Sequence, residues 1–102
     1  MLIYALSSGP GISGIAVIRI SGEKTSKVIE LLTGKSVPKP RMATLRKINK
    51  IDTSELIDEG IILWFPGPES YTGEDMAEIQ VHGSKAVIDA IHFSISTVEN
   101  CR

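Results

Sequence analysis

The stretch "MAEIQVHGSKAVIDAIHFSISTV", residues 76–98, changes its period halfway along. Over residues 76–82 the side chains alternate. Ala77, Ile79 and Val81 point one way, and Met76, Glu78, Gln80 and His82 the other, the period-two pattern of a strand with one buried face. Behind Ser84, a residue suited to cap a helix, Val87, Ile88, Ile91 and Ile95 recur at helical spacing. A strand running directly into an amphipathic helix asks for a sheet with that helix laid against it.

The same switch occurs upstream. "GIAVIRI", residues 14–20, is a β-branched run, and "SGEKTSKVIELLTG" after it turns helical. Val28, Leu31 and Leu32 share a face there, Ser21 is the candidate N-cap, and Gly34 stands where helices end on glycine. "LIYAL", residues 2–6, is a further apolar strand before a Ser/Gly/Pro loop. Between the two helices, "VPKPR" breaks the pattern and "MATLRKI" reads as an extended, partly exposed strand. A polar turn from Asn49 to Ser54 then leads into "EGIILWF", the most apolar strand, which Pro66 and Pro68 end. The order ββαβββα predicts an α+β domain: a mixed sheet of about five strands with helices packed on one face.

The chain has 102 residues, the length of one domain, with 42% hydrophobic and 23% charged residues. Its formal net charge of −1 gives no basic field and argues against holding nucleic acid mainly by phosphate neutralisation. Cys101 is the sole cysteine, so neither an internal disulfide nor a cysteine cluster for zinc is available, and a reducing compartment is expected. No apolar run approaches the ~20 residues of a membrane-spanning helix, and no basic region precedes the apolar N-terminus. These features lead to the expectation of a cytoplasmic protein with no membrane partner.

Three motifs bear on function. "GPGISG", Gly9 to Gly14, matches G-x-G-x-x-G, but the dinucleotide motif needs a helix directly afterwards, and the strand "IAVIRI" follows instead. A glycine turn, or a close backbone approach to a ligand, are the readings left. "TGKS", Thr33 to Ser36, resembles the end of a phosphate-binding loop, yet Ile29 stands where its first glycine belongs and the segment closes a helix. It reads as a helix stop.

The third is the polar face of residues 76–82. Periodicity alone favours a sheet face that meets water, with Glu78, Gln80 and His82 solvated. His82 has no second metal ligand at a telling spacing, which favours surface or helix-entry duty. Arg19, a permanent cation inside "AVIRIS", either emerges at a sheet edge, pairs with a carboxylate, or lines one pocket with Glu78. No nucleophile or complete acid–base pair stands out, so no catalytic residue and no metal site are expected here.

"GISGIAVIRISG", then "LTGK", then "DEGIILWFPGPESYTGEDMAEIQVHGS" together resemble the N-terminal domain of the bacterial tRNA-modification GTPase family MnmE (TrmE). The resemblance runs nearly end to end. Its most specific part is the "FPGP-x-S-[YF]-TGED" stretch ending in "E-x-x-x-HG"; residues 41–54 add little. It implies a fold similar to the tetrahydrofolate-binding domains of the glycine-cleavage aminomethyltransferase type. It also implies homodimerisation and binding of 5-formyltetrahydrofolate or a related one-carbon tetrahydrofolate. The family's folate contacts fall on Arg19 and Glu78.

Complete family members add a helical domain with an inserted G domain, which uses GTP, magnesium and potassium. With the flavoprotein MnmG (GidA) they place a carboxymethylaminomethyl or aminomethyl-type group at C5 of the wobble uridine of certain tRNAs. Residues 1–102 are thereby expected to be a truncated folate-binding and dimerisation domain, without a "PGEF" segment and an "NGK" stretch whose lysine adds a folate contact. Enzymatic activity is expected of the complete GTPase rather than of this stretch. Two other readings stand beside this one: an assembly module that binds no folate, and an independent aminomethyltransferase, which the absence of a nucleophile disfavours.

Overall fold

The computed structural model describes residues 3–6, 14–70 and 72–98. Its elements follow in the order β1 (Ile3–Leu6), β2 (Ile15–Ser21), α1 (Thr25–Thr33), β3 (Thr44–Asn49), β4 (Leu56–Phe65), β5 (Met76–His82) and α2 (Lys85–Ser96). The strands form one five-stranded sheet in the spatial order β1-β2-β5-β4-β3. This is the α+β class and the element order that the periodicities predict. Where a mixed sheet is expected, the pairings between these strands are all antiparallel, because each joins neighbours running in opposite directions; an isolated parallel bridge, Pro40 to Trp64, lies outside the named strands.

Strand alternation places the core. Ile18, Ile79 and Ile62 stand side by side across β2, β5 and β4, and each is fully buried. Ala16, Ile20, Ala77, Val81 and Trp64 join them on the same face. Against this face lie Val28, Ile29 and Leu32 of α1 and Ile91 and Ile95 of α2, so both helices cover one side of the sheet. At about 1.5–3 kcal/mol for each buried aliphatic side chain, this shared cluster is the principal source of cohesion.

Helix α2 begins as expected, with Ser84 Oγ accepting a hydrogen bond from the Val87 N–H. Helix α1 departs from the expectation at both its cap and its face. Ser21 ends β2, and Lys24 holds the N-cap position without its side chain capping the helix. The anchoring hydroxyl belongs to Thr25, which donates to the Gly22 and Asp75 carbonyls. Leu31 is largely exposed while Ile29 is buried, because the inward stripe passes through Thr25, Val28, Ile29 and Leu32. Gly34 terminates α1 in the left-handed conformation, as the sequence suggests.

Apart from Gly14, the glycine loop Gly9 to Gly14 lies outside the described residues, as does Cys101. The segment after the loop is strand β2.

Candidate functional site

Because both helices share one face of the sheet, no helix among the described residues covers the other face, here the open face. Strand pairing assigns to it Val17, Arg19 and Ser21 of β2, Glu78, Gln80 and Met76 of β5, and Ile61, Leu63 and Phe65 of β4. It is apolar at its margins, where Ile3, Ile15 and Leu45 are each more than half exposed.

The polar residues gather at its centre. Arg19 and Glu78 are direct cross-strand partners, and Arg19 Nε lies 3.4 Å from Glu78 Oε2. The other carboxylate oxygen, Oε1, accepts a hydrogen bond of 3.4 Å from Gln80 Nε2. Leu63 flanks Glu78 on the β4 side. The Glu78 side chain keeps only 14% of its surface exposed, against 48% for Arg19. Glu78 is therefore a covered, oriented carboxylate and not the solvated surface group that alternation alone favours. An ionised carboxylate offers about four acceptor positions, so these two contacts leave acceptor capacity for a further donor pair.

At one end of the face stand the described loop residues 66–70 and 72–75. Ser21 and Thr72 share a hydrogen bond of 2.9 Å between their hydroxyls, drawing the loop across the sheet end. Beneath it Met76 is buried, although the alternation assigns it to the polar side. Asp75 Oδ1 accepts from the Gly67 N–H, and the Asp75 carbonyl accepts from Gly22 N–H, so this acid holds the turn. Beside the loop, Arg41, Phe65, Glu69 and Ser70 bound a cleft of about 390 Å³.

At the other end, Ile15, Leu45, Ile61, Gln80 and His82 line a smaller hollow of about 200 Å³. His82 is three-quarters exposed, in keeping with surface duty, but its Nδ1 sits 2.9 Å from the Asp58 carboxylate. The His82 backbone N–H donates to the same carboxylate. Partial burial on its own would push the Asp58 carboxyl up. Hydrogen bonds from the His82 backbone and ring, and from the Glu59 N–H, outweigh it and hold the group below the usual carboxylate range. Asp58 escapes sequence reading because only the β4–β5 pairing brings it to His82. Arg41 escapes it too, since it lies in a stretch with no periodic pattern.

Among the described residues no group of three or more His, Cys, Asp or Glu is placed to hold a metal ion. Among the described residues, too, no helix is long and apolar enough to cross a membrane.

The chain is similar over its whole length to "tRNA modification GTPase MnmE" of Pelagibacter ubique (strain HTCC1062), with 76% identity over 102 residues, which is 23% of that protein. It is 46% identical over 100 residues, 98% of the chain and 20% of the relative, to "5-taurinomethyluridine-[tRNA] synthase subunit GTPB3, mitochondrial" of Danio rerio. It is 53% identical over 87 residues, 85% of the chain and 17% of the relative, to "tRNA modification GTPase mss1, mitochondrial" of Schizosaccharomyces pombe (strain 972 / ATCC 24843). The chain thus spans about a fifth of the length of these curated relatives. Residues 2–102 match the family model "GTP-binding protein TrmE N-terminus", and the chain belongs to that family.

Proposed function

We propose that residues 1–102 form the N-terminal folate-binding and dimerisation part of a GTPase that modifies the wobble uridine of tRNA. The observation that carries the folate reading is the Arg19–Glu78–Gln80 group at the centre of the open face. A reduced pterin presents a ring N–H beside an exocyclic amine, two parallel donors about as far apart as the two oxygens of a carboxylate. One carboxylate accepts both, in the fork geometry it offers to arginine. Glu78 meets the demands of that role. It is held on a strand, oriented by two side chains, shielded from water, and flanked by Leu63, which suits the apolar face of a flat ring. Arg19 sets the carboxylate and adds a fixed positive charge beside it.

The ligand that fits is 5-formyltetrahydrofolate or a related one-carbon tetrahydrofolate. GTP, magnesium and potassium belong, on this proposal, to a G domain elsewhere in the longer protein, and MnmG and tRNA are partners of that whole. The location that accompanies this function is the cytoplasm. The relatives' names, which speak of tRNA modification and of a tRNA synthase subunit, support the assignment of the process.

Dimerisation is supported by the exposed Ile3, Ile15 and Leu45 at the margins of the open face and by the sheet's two outer strands, β1 and β3. The same residues favour a second reading, an assembly module without folate binding. A titration with 5-formyltetrahydrofolate separates the two. Heat of binding that Glu78→Ala removes while the fold persists supports the folate site. Dimers in sedimentation with no ligand response from either protein leave the assembly module.

A further inference from the structure

We propose that the sheet edge along β3 is an RNA-backbone contact, with Lys35, Arg46 and Lys47 presented to the phosphates of a folded tRNA. The inference rests on the tRNA half of the proposed function and not on the folate half.

Charge distribution is the first argument. The net charge of −1 hides an uneven spread. Residues 31–51 hold six of the eleven lysines and arginines (Lys35, Lys39, Arg41, Arg46, Lys47 and Lys50) and none of the twelve acids. The rest of the chain is acidic in balance, so the positive field is confined to one segment. A field so confined turns one edge toward a polyanion while the domain as a whole stays nearly neutral. It also makes the contact an auxiliary one, in keeping with a chain whose total charge does not hold nucleic acid unaided.

The fold gathers that charge. Residues 31–51 run from the last turn of α1 to the turn beyond β3, and β3 is an outer strand of the sheet. Lys35, just past Gly34, lines a hollow of about 400 Å³ together with Arg46, Lys47 and Asn49 of β3. Successive residues of a strand point to opposite faces, so Arg46 and Lys47 straddle the sheet edge.

Availability is the third argument. Among the described residues the ion pairs of lysine and arginine involve Arg19, Arg41, Lys50 and Lys85. Lys35 and Lys47 are exposed and take part in none of them. Glu59, the acid on the wall of the hollow, is the cross-strand partner of Lys47 and is itself exposed. Arg46 donates from Nη1 to the Leu45 carbonyl at 3.1 Å, while its Nε is buried with no hydrogen-bond partner among the described residues. A guanidinium donor left unmet is costly, and a phosphate oxygen is an acceptor that suits it. Lysine, arginine and asparagine side chains are common donors to phosphate and sugar, and such contacts position an RNA without reading its sequence. Of the polyanions that fit, tRNA is the one the proposed function brings to this chain.

The test is a fluorescence-anisotropy titration of an unmodified tRNA transcript with the chain, at salt from about 50 mM to about 200 mM. The variants are Lys35→Gln combined with Lys47→Gln, Glu59→Gln, and Lys85→Gln as a charge loss away from the edge. Circular dichroism checks that each is folded. The parent chain is expected to bind at low salt and to weaken as salt rises. The double variant should bind about tenfold more weakly, and its log–log salt slope should fall by about 2, one for each lysine. Glu59→Gln should bind more tightly than the parent chain, and Lys85→Gln like it. No binding by the parent chain at low salt, or equal binding by the folded double variant, overturns the contact. Displacement of the tRNA by phosphatidylserine vesicles also overturns it, because the edge is then a lipid contact. If cells lacking the gene lose the wobble modification while the chain binds no tRNA, the contact falls and the tRNA reading stands.

Discussion

Arg19 on β2 and Glu78 on β5 face one another directly across an antiparallel pairing, with the guanidinium Nε 3.4 Å from the carboxylate Oε2. The pair is not a major contribution to stability. With Arg19 about half exposed, its worth is on the order of 0–1 kcal/mol. Its effect is to fix one carboxylate at the centre of the open sheet face. Arg19→Gln is accordingly expected to lower the melting temperature by a few degrees at most, as about 1 kcal/mol does in a domain of this size. The same change should weaken 5-formyltetrahydrofolate binding about tenfold, by loosening Glu78. Thermal unfolding and calorimetry on the same sample check both.

The core makes the opposite demand. Ile79 is fully buried between Ile18 and Ile62, with both helices beyond it. Ile79→Ala is expected to cost about 2–5 kcal/mol, the range for an aliphatic truncation that leaves a cavity. Urea denaturation should show a lower midpoint with an unchanged slope.

Gly60 is required by the approach of β4 to β5. A Cβ at this position would stand 2.2 Å from the Gln80 carbonyl oxygen and 2.9 Å from Val81 Cγ1. The nearer atom is backbone and cannot swing aside. Gly60→Ala is therefore expected to destabilise the chain by about 1–3 kcal/mol or more, through strand separation. Chemical shift changes at Gln80 and Val81 should be its local signature.

Asp58 predicts a specific acid response. Its carboxyl is depressed in the folded state, so the stability it contributes is complete above its unfolded value of 3.8. That contribution is lost as pH falls below 3.8 and through the lower folded value. Asp58→Asn removes this part of the acid limb and turns the charge-assisted hydrogen bonds from His82 into weaker neutral ones, at a cost of about 1 kcal/mol or less near neutral pH. Stability curves of the two proteins, measured from pH 7 down to acid, should converge at the acid end.

How far the sequence discloses the structure depends on whether a residue's role is local. Ser84 caps α2 and Gly34 ends α1 because caps and left-handed stops are decided within a few residues. The alternation of residues 76–82 likewise identifies β5 and its buried Ala77, Ile79 and Val81. Ser21 failed as a cap because β2 runs on through it to pair with Ile3 and Met76, a preference set by partners distant in sequence. Met76 failed as an open-face residue because a loop folds over that end of the sheet, which no periodicity records.

The candidate site divides in the same way. Arg19 is legible as a cation inside an apolar strand, whereas alternation makes Glu78 a solvated group that only the family resemblance singles out; the strand register makes the two neighbours. Asp58 and Arg41 were not, since each gains its meaning from a neighbour, His82 or Phe65, that only the folded sheet supplies. Alternation also could not show that Glu78 is covered, because it reports the face of a strand and not the side chains of neighbouring strands beside it.

The most direct measurement is calorimetric titration of 5-formyltetrahydrofolate into the chain and into Glu78→Ala, each shown by circular dichroism to be folded. Saturable binding to the parent chain and none to the variant is the outcome expected of a carboxylate that anchors the pterin. Equal binding by both proteins, or none by a folded parent chain at millimolar ligand, contradicts it.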